Sequence, residues 1–341
     1  MGAFQGESMK EAMFWEKEKD KIRCLLCPHS CLIPEGKRGM CGVRENRNGV
    51  LYSLIYGEAS SICPDPIEKK PLYHFYPGSS VLSFGTIGCN FRCLHCQNYS
   101  ISQAKYGSYP LEKITAEKII SLAKKYNCKG IAWTYNEPTI WYEFTYDASK
   151  TAKENNLYTV YVTNGYINEE PLKKIAPYLD AMNIDVKSMN EEFYHKICGG
   201  SLSPVLNTVK LAKKLGIHVE LTYLIIPGHN DKEGDIKEFC EWVSDEIGPE
   251  TPVHFSRFYP HYRMSSLPPT SMETMLKAYE IGKKELDYVY LGNVTHGEYE
   301  NTCCQKCKTL LIERIGFSVE KCSLKDNKCP KCGKPINIIN R

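Results

Sequence analysis

One pattern restricts the fold of this chain more than any other. Short apolar runs bounded by Gly, Pro and Asn alternate with stretches whose apolar residues recur at helical spacing. The runs are "SVLSFGTI" (80–87), "GIAWTY" (130–135), "YTVYVTNG" (158–165), "AMNIDVK" (181–187), "HVELTYLII" (218–226) and "VHFSRFY" (253–259). Their β-branched and aromatic content suits strands buried on both faces, as in a parallel sheet. Between them, "ITAEKIISLAKKY" places Ile119, Leu122, Ala123 and Tyr126 on one helical face. "SPVLNTVKLAKKLG" offers Ser203 as N-cap, Pro204 at the first helical position and Gly216 as the stop. "TSMETMLKAYEIGKKEL" opens with a capping box, Thr270 and Glu273. Repeated strand–helix units predict an α/β domain with a parallel sheet. Periodicity alone leaves open whether that sheet is open or closed.

The ends of the chain differ. Residues 1–79 and 300–341 carry cysteines, are richer in turn residues and lack long periodic segments, so three parts are expected: an N-terminal extension (1–79), a central α/β domain (80–299) and a C-terminal module (300–341). Seventeen cysteines are present in all, an odd number. With a charged N-terminus lacking the apolar run of a signal peptide, that argues for metal ligation rather than a disulfide framework, and for the cytoplasm. No stretch approaches the ~20 apolar residues of a membrane span. A net charge of +3 is too small to point to nucleic acid or an anionic membrane. Cys128, Cys198 and Cys240 stand apart and read as small buried hydrophobes.

The tightest cysteine group is "GCNFRCLHCQN", with Cys89, Cys93 and Cys96 directly after the first strand-like run. The C-terminal ends of strands are where α/β folds place their active sites. Three thiolates at this spacing can hold one side of a metal cluster, and no fourth cysteine follows closely. A metal site short of one protein ligand is the general form of a centre that acts on a bound molecule. On spacing alone, zinc completed by His95 or by a distant residue is the rival, and three buried thiols without metal the simplest alternative.

Each flanking group can offer four thiols to one site, with Cys303 and Cys322 spare in the C-terminal one. Cys24, Cys27, Cys31 and Cys41 can supply one zinc or a second iron–sulfur cluster, with His29 a possible substitute ligand; a set of buried thiols is the plainer reading. Cys304, Cys307, Cys329 and Cys332 form two C-x2-C knuckles, the second followed by Gly333, and predict a zinc ribbon. Cys303 could shift that register, and a rubredoxin-like iron site is the alternative.

The C-x3-C-x2-C motif resembles the cluster motif of the radical S-adenosylmethionine (SAM) superfamily. That resemblance implies a partial TIM barrel, (β/α)6, and a [4Fe–4S] cluster held by Cys89, Cys93 and Cys96. Its remaining iron would be chelated by SAM. It further implies reductive cleavage of SAM to methionine and a 5′-deoxyadenosyl radical that abstracts hydrogen from a substrate, with a ferredoxin or flavodoxin as electron donor. The residue before the third cysteine, usually aromatic there, is His95. "YNEP" (135–138) resembles the motif that binds the SAM amino group, which implies roles for Asn136 and Glu137. "TNG" (163–165) and "DVK" (185–187) look like the ribose and carboxylate contacts of the pyruvate formate-lyase activating enzyme group, implying Thr163, Asn164, Asp185 and Lys187. In that group an Asp precedes the TNG, where this chain has Val162. "RFYPHYRM" (257–264) brings His261 toward the nucleoside on the same resemblance.

Taken together, "CPHSC…GxCGVREN", "IEKKPLYHFYPGS" (67–79), "CNFRCxxCQN" and the terminal knuckles resemble the AmmeMemoRadiSam system radical SAM enzyme over essentially the whole chain. That resemblance implies association with an AMMECR1-domain protein and a Memo-family protein. Within the "IEKKPLYHF" run, Lys69, Lys70 and His74 are polar enough to face an active site, although a surface strand would serve as well. Two other functions remain open: an activase that generates a glycyl radical on a partner protein, and a non-catalytic iron–sulfur carrier or scaffold.

Overall fold

A computed structural model of the chain describes residues 9–294 and 297–340. Its centre is an eight-stranded sheet: β1 (Ser61–Pro66), β2 (Ser80–Gly85), β3 (Gly130–Trp133), β4 (Tyr158–Thr163), β5 (Ala181–Asp185), β6 (His218–Ile225), β7 (Val253–Arg257) and β8 (Val289–Gly292). Each strand pairs with the next in chain order. From β2 to β8 every pairing is parallel, while β1 runs antiparallel to β2.

Helices make the crossovers: α1 (Ala116–Lys125), α2 (Tyr142–Glu154), α3 (Glu169–Ile175), α4 (Leu202–Lys214), α5 (Glu233–Glu246) and α6 (Met272–Glu285). All four residues of β3 are buried, as expected of a strand covered on both faces. α1 is capped by the Thr115 side chain, which accepts the Lys118 N–H at 3.2 Å, and buries Ile119, Ile120 and Ala123. The result is a parallel α/β partial barrel.

Three details depart from expectation. The parallel strands number seven rather than six: six βα units are followed by β8, "VYLG", with no α-helix after it among the described residues. α4 begins at Leu202 after Ser201, ahead of the predicted cap Ser203. α6 is capped by Ser271 rather than Thr270. The Thr270 hydroxyl instead bonds the Ile225 carbonyl and the Phe258 N–H, joining the ends of β6 and β7.

The N-terminal residues fold as two small antiparallel sheets, one from Trp15–Glu18, Lys21–Cys24 and Leu32–Ile33, the other from Lys10–Glu11, Arg44–Arg47 and Val50–Ser53. Their apolar residues Ile22, Leu26, Val43 and Leu51 share one core with Phe84, Ile87 and Phe91 of the barrel. A buried ion pair, Arg44 to Glu143 at 2.9 Å, adds a polar tie to α2. The extension is thus packed into the barrel, and its last strand, β1, is an edge of the central sheet.

At the other end, β9 (Thr302–Cys303), β10 (Leu310–Ile315) and β11 (Ser318–Cys322) form an antiparallel sheet. It packs Leu311 and Ile312 against Tyr73, Tyr288 and Tyr290. Among the described residues no helix is long and apolar enough to cross a membrane.

Candidate active site

The loop after β2 leaves the strand at Gly88, whose φ of +87° is in the left-handed region that favours glycine. The residues that follow are held from two sides. The N–H groups of Arg92 and Leu94 donate to the carbonyls of Cys198 (2.7 Å) and Ile197 (2.9 Å). Asn136, just past β3, accepts the Thr86 N–H at 3.1 Å and donates to the Gly88 carbonyl at 2.8 Å. This framing fixes where Cys89, Cys93 and Cys96 project.

All three cysteines line one cavity of about 790 Å³. The same cavity is lined by Asn136, Glu137, Thr163, Asn164, Asp185 and Lys187, so the ends of β3, β4 and β5 meet there. His261 is exposed and is not among the lining residues.

Glu137 is buried, and both its oxygens are engaged. One accepts the Thr139 N–H (2.9 Å) and the Thr163 hydroxyl (2.7 Å); the other accepts the Asn164 N–H (2.8 Å). Burial raises its pKa, and these donors work against the rise. The carboxylate therefore clamps the end of β3 to the end of β4. Asn164 in turn donates from its side-chain amide to Asn90 at 2.8 Å, with the Cys89 sulfur 3.9 Å away.

Asp185 and Lys187 form an ion pair at 2.9 Å. Burial opposes the ammonium charge, but the neighbouring Asp185 carboxylate outweighs it, and the Lys187 pKa is raised. A cation is thus kept beside the cysteines. Donors also face the sulfurs: the Phe91 N–H lies 3.3 Å from Cys89, and the Ser102 hydroxyl 3.2 Å from Cys96. Burial pushes the Cys89 and Cys96 thiols up. Left to themselves they stay protonated, and a metal would be needed to hold them as thiolates.

His95 is buried in the cavity wall, and its Nδ1 has no hydrogen-bond partner. Burial, then the charge of Lys187, lowers its pKa to about 3, so the ring is neutral at physiological pH. An unpaired polar atom at that depth is costly unless a ligand meets it. Three thiols with inward donors, a fixed cation and an orphaned imidazole nitrogen together fit a thiolate-held cluster with a polar molecule beside it.

Several contributors were not visible in the sequence. Cys198, expected to be an inert thiol, lies on the segment that holds the cysteine loop, its carbonyl accepting the Arg92 N–H and its thiol interacting with Cys93. Lys69 and Lys70, which the sequence did offer, line the cavity, while their partners were not legible: both pair with Asp65, at 2.8 and 2.7 Å, and the Tyr135 hydroxyl joins them at 2.6 Å. His74 lies elsewhere, bonded to Asn337 and Tyr290. No spacing rule links Asp65 to Tyr135 or Cys93 to Cys198, because each pair meets only across the fold.

The C-terminal cysteines converge separately. Cys304, Cys307, Cys329 and Cys332 place their sulfurs within 4.8 Å of one another. The Cys304–Cys332 and Cys307–Cys329 pairs are 3.5 Å apart. The residue that could have shifted this register, Cys303, is outside the group, as is Cys322.

Comparison with known proteins agrees with this geometry. An uncharacterized protein of Methanocaldococcus jannaschii is 52% identical over 335 residues, covering 97% of this chain and 100% of its own length. A family profile described as the Radical SAM superfamily matches residues 84–243, from β2 through most of α5. The chain belongs to the radical SAM superfamily. Within the superfamily it is similar to the pyruvate formate-lyase 1-activating enzyme of Escherichia coli, at 22% identity over 173 residues, 50% of this chain and 70% of that one. Radical SAM membership implies a [4Fe–4S] cluster and SAM.

Proposed function

We propose that Cys89, Cys93 and Cys96 hold the cluster and that the strand ends around them hold SAM. The observation that carries this reading is convergence: cysteines from one loop and polar residues ending β3, β4 and β5 line a single cavity. When bound, the pair supplies reductive cleavage of SAM and radical hydrogen abstraction. The chain's own residues position and shield. Asn136 secures the exit from β2, and Glu137 locks Thr163 and Asn164 in place. Lys187 sets a positive charge beside the sulfurs, and His95 offers its free Nδ1 to the bound molecule. His261, being exposed, is given no part in this arrangement.

The reading carries with it a one-electron donor of the ferredoxin or flavodoxin class. A finer affiliation, with the AmmeMemoRadiSam system and its AMMECR1-domain and Memo-family partners, is supported by the N-terminal and "IEKKPLYHF" motifs. An alternative, a glycyl-radical activase acting on a protein backbone, draws on the similarity to the E. coli activating enzyme. A non-catalytic carrier is disfavoured, since it has no use for the polar strand ends.

For the C-terminal cysteines we propose a closed structural zinc site. Four sulfurs about 2.3 Å from one ion lie about 3.8 Å apart, close to the observed contacts.

Anaerobic reconstitution, reduction and incubation with SAM test the main reading. Formation of 5′-deoxyadenosine, abolished in Cys96→Ala, is expected. No product above a Cys89→Ala control would refute it.

A further inference from the structure

The N-terminal cysteines do not lie at a distance from the barrel site. They sit against the loop that carries it. The His29 ring, between Cys27 and Cys31, donates from Nε2 to the Asn90 carbonyl at 2.7 Å. Arg92 donates to the Met40 carbonyl. At Gly88, an added Cβ would lie 2.7 Å from the Cys41 carbonyl oxygen, so the two segments touch where a side chain cannot fit. Asn168, beyond β4, bonds the carbonyl of Leu25 (2.8 Å) and, through its N–H, that of Leu26 (3.1 Å).

Cys24, Cys27, Cys31 and Cys41 are also drawn together by the backbone: the Cys24 N–H donates to the Cys31 carbonyl at 2.9 Å, and at Gly39, two residues before Cys41, an added Cβ would lie 3.5 Å from the Cys31 sulfur. Their spacing nevertheless differs from that of the C-terminal set. Among the described residues, the C-terminal cysteines are the group whose ligand atoms close to within 4.8 Å, and no three of the N-terminal thiols do so. One zinc ion would draw four sulfurs to about 3.8 Å of each other. The N-terminal sulfurs, like those of Cys89, Cys93 and Cys96, are spread more widely than a single ion would hold them.

One backbone donor faces these sulfurs, and a buried cation interacts with two of them. The Met40 N–H donates to the Cys31 sulfur at 3.4 Å. Arg44, 1% exposed, has a buried Nε without a partner, and its guanidinium lies close enough to Cys24 and Cys41 to interact with both. A buried cation with a free N–H beside thiols suits ligands that carry negative charge and accept hydrogen bonds at sulfur.

We infer that Cys24, Cys27, Cys31 and Cys41 bind a second iron–sulfur cluster, packed directly against the Cys89–Cys96 loop, while the C-terminal cysteines bind a single ion. Its adjacency to another cluster rests on the reading of the barrel site given above; its own binding does not.

The test uses full-length protein reconstituted anaerobically, as wild type and as the Cys89→Ala/Cys93→Ala/Cys96→Ala variant. Iron, sulfide and zinc are counted, and electron paramagnetic resonance spectra are recorded after dithionite reduction. The triple variant is expected to retain about four irons and four sulfides per chain with a reduced-cluster signal. Adding Cys27→Ala and Cys31→Ala should remove both and leave the zinc. Because that variant could unfold, Cys31→Ser in the triple background is the second probe, and it should shift the signal by exchanging one sulfur ligand for oxygen. In wild type, the two reduced centres should broaden each other's spectra.

A triple variant without iron, or with a second equivalent of zinc in its place, overturns the inference, as does a signal unmoved by Cys31→Ser. If wild type cleaves SAM while the triple variant holds no iron, this inference alone falls. If the triple variant holds iron but wild type never cleaves SAM, the barrel reading alone falls.

Discussion

The side-chain amide of Asn136 donates to the carbonyl of Gly88 at 2.8 Å while its oxygen accepts the Thr86 N–H at 3.1 Å. One side chain at the end of β3 thereby satisfies both sides of the backbone where β2 gives way to the cysteine loop. Asn136→Ala leaves that donor and acceptor unpaired. The expected cost is about 1–3 kcal/mol, read from urea denaturation of the apoprotein, with lower iron retention after gel filtration. Unchanged stability and iron content would show that Asn136 does not position the loop.

Gly88 itself should not tolerate a side chain. Its φ is +87°, and a Cβ would meet the Cys41 carbonyl oxygen at 2.7 Å and Val43 at 2.9 Å. Gly88→Ala is expected to cost about 1–2 kcal/mol for the backbone conformation alone, with steric displacement of the N-terminal segment in addition. Iron binding should fall at both the N-terminal and the barrel cysteines, measured separately in backgrounds lacking one set.

His74 gives a pH signature. Its Nδ1–H donates to the Asn337 carbonyl at 2.9 Å, and its Nε2 meets the Tyr290 hydroxyl at 2.7 Å, an arrangement made for the neutral ring. Burial lowers its pKa from 6.5 to about 4. A depressed pKa means stability present above about pH 6.5 and lost as the pH falls toward 4, at most about 3 kcal/mol from this group. His74→Gln should be less stable than wild type at pH 7, and the difference should shrink between pH 6.5 and 4. Parallel denaturation curves across that range would contradict it.

Removal of the C-terminal ion should act on stability more than on chemistry. Cys329 is buried in a core shared with Tyr73, Tyr288 and Tyr290. Cys329→Ser is expected to lose about one zinc per chain and to lower the melting temperature by several degrees, with the iron at Cys89, Cys93 and Cys96 retained. Metal analysis by plasma emission, with thermal melts, checks both. Loss of iron in parallel with zinc would contradict a purely structural role.

Much of the barrel was legible because its signals are local. A buried parallel strand is written in consecutive apolar residues, and six of the seven parallel strands announced themselves in that way. β8 was not read as a strand, although it is no shorter than β3. The start of α4 differs from the expected one because Ser201 and Ser203 are equally good caps in isolation, whereas in the fold the Glu191 carboxylate accepts the Leu202 N–H at 2.9 Å. The C-terminal register, by contrast, was legible in the two C-x2-C spacings, and the folded hairpin agrees by turning Cys304 toward Cys332.

The sequence by itself determined the types of centre this protein could carry: three cysteine groups, and polar residues where strands end. Tertiary structure alone decided how they relate. It made Glu137 a clamp between β3 and β4, placed Cys198 against Cys93, left the His95 Nδ1 unpartnered in the cavity, and set His29 on the carbonyl of Asn90. The reason is physical. Ligand spacing and hydrophobic period are short-range properties carried by neighbouring residues. The approach of residues 61 apart, as His29 and Asn90 are, is fixed by how whole elements pack, and no local pattern encodes it.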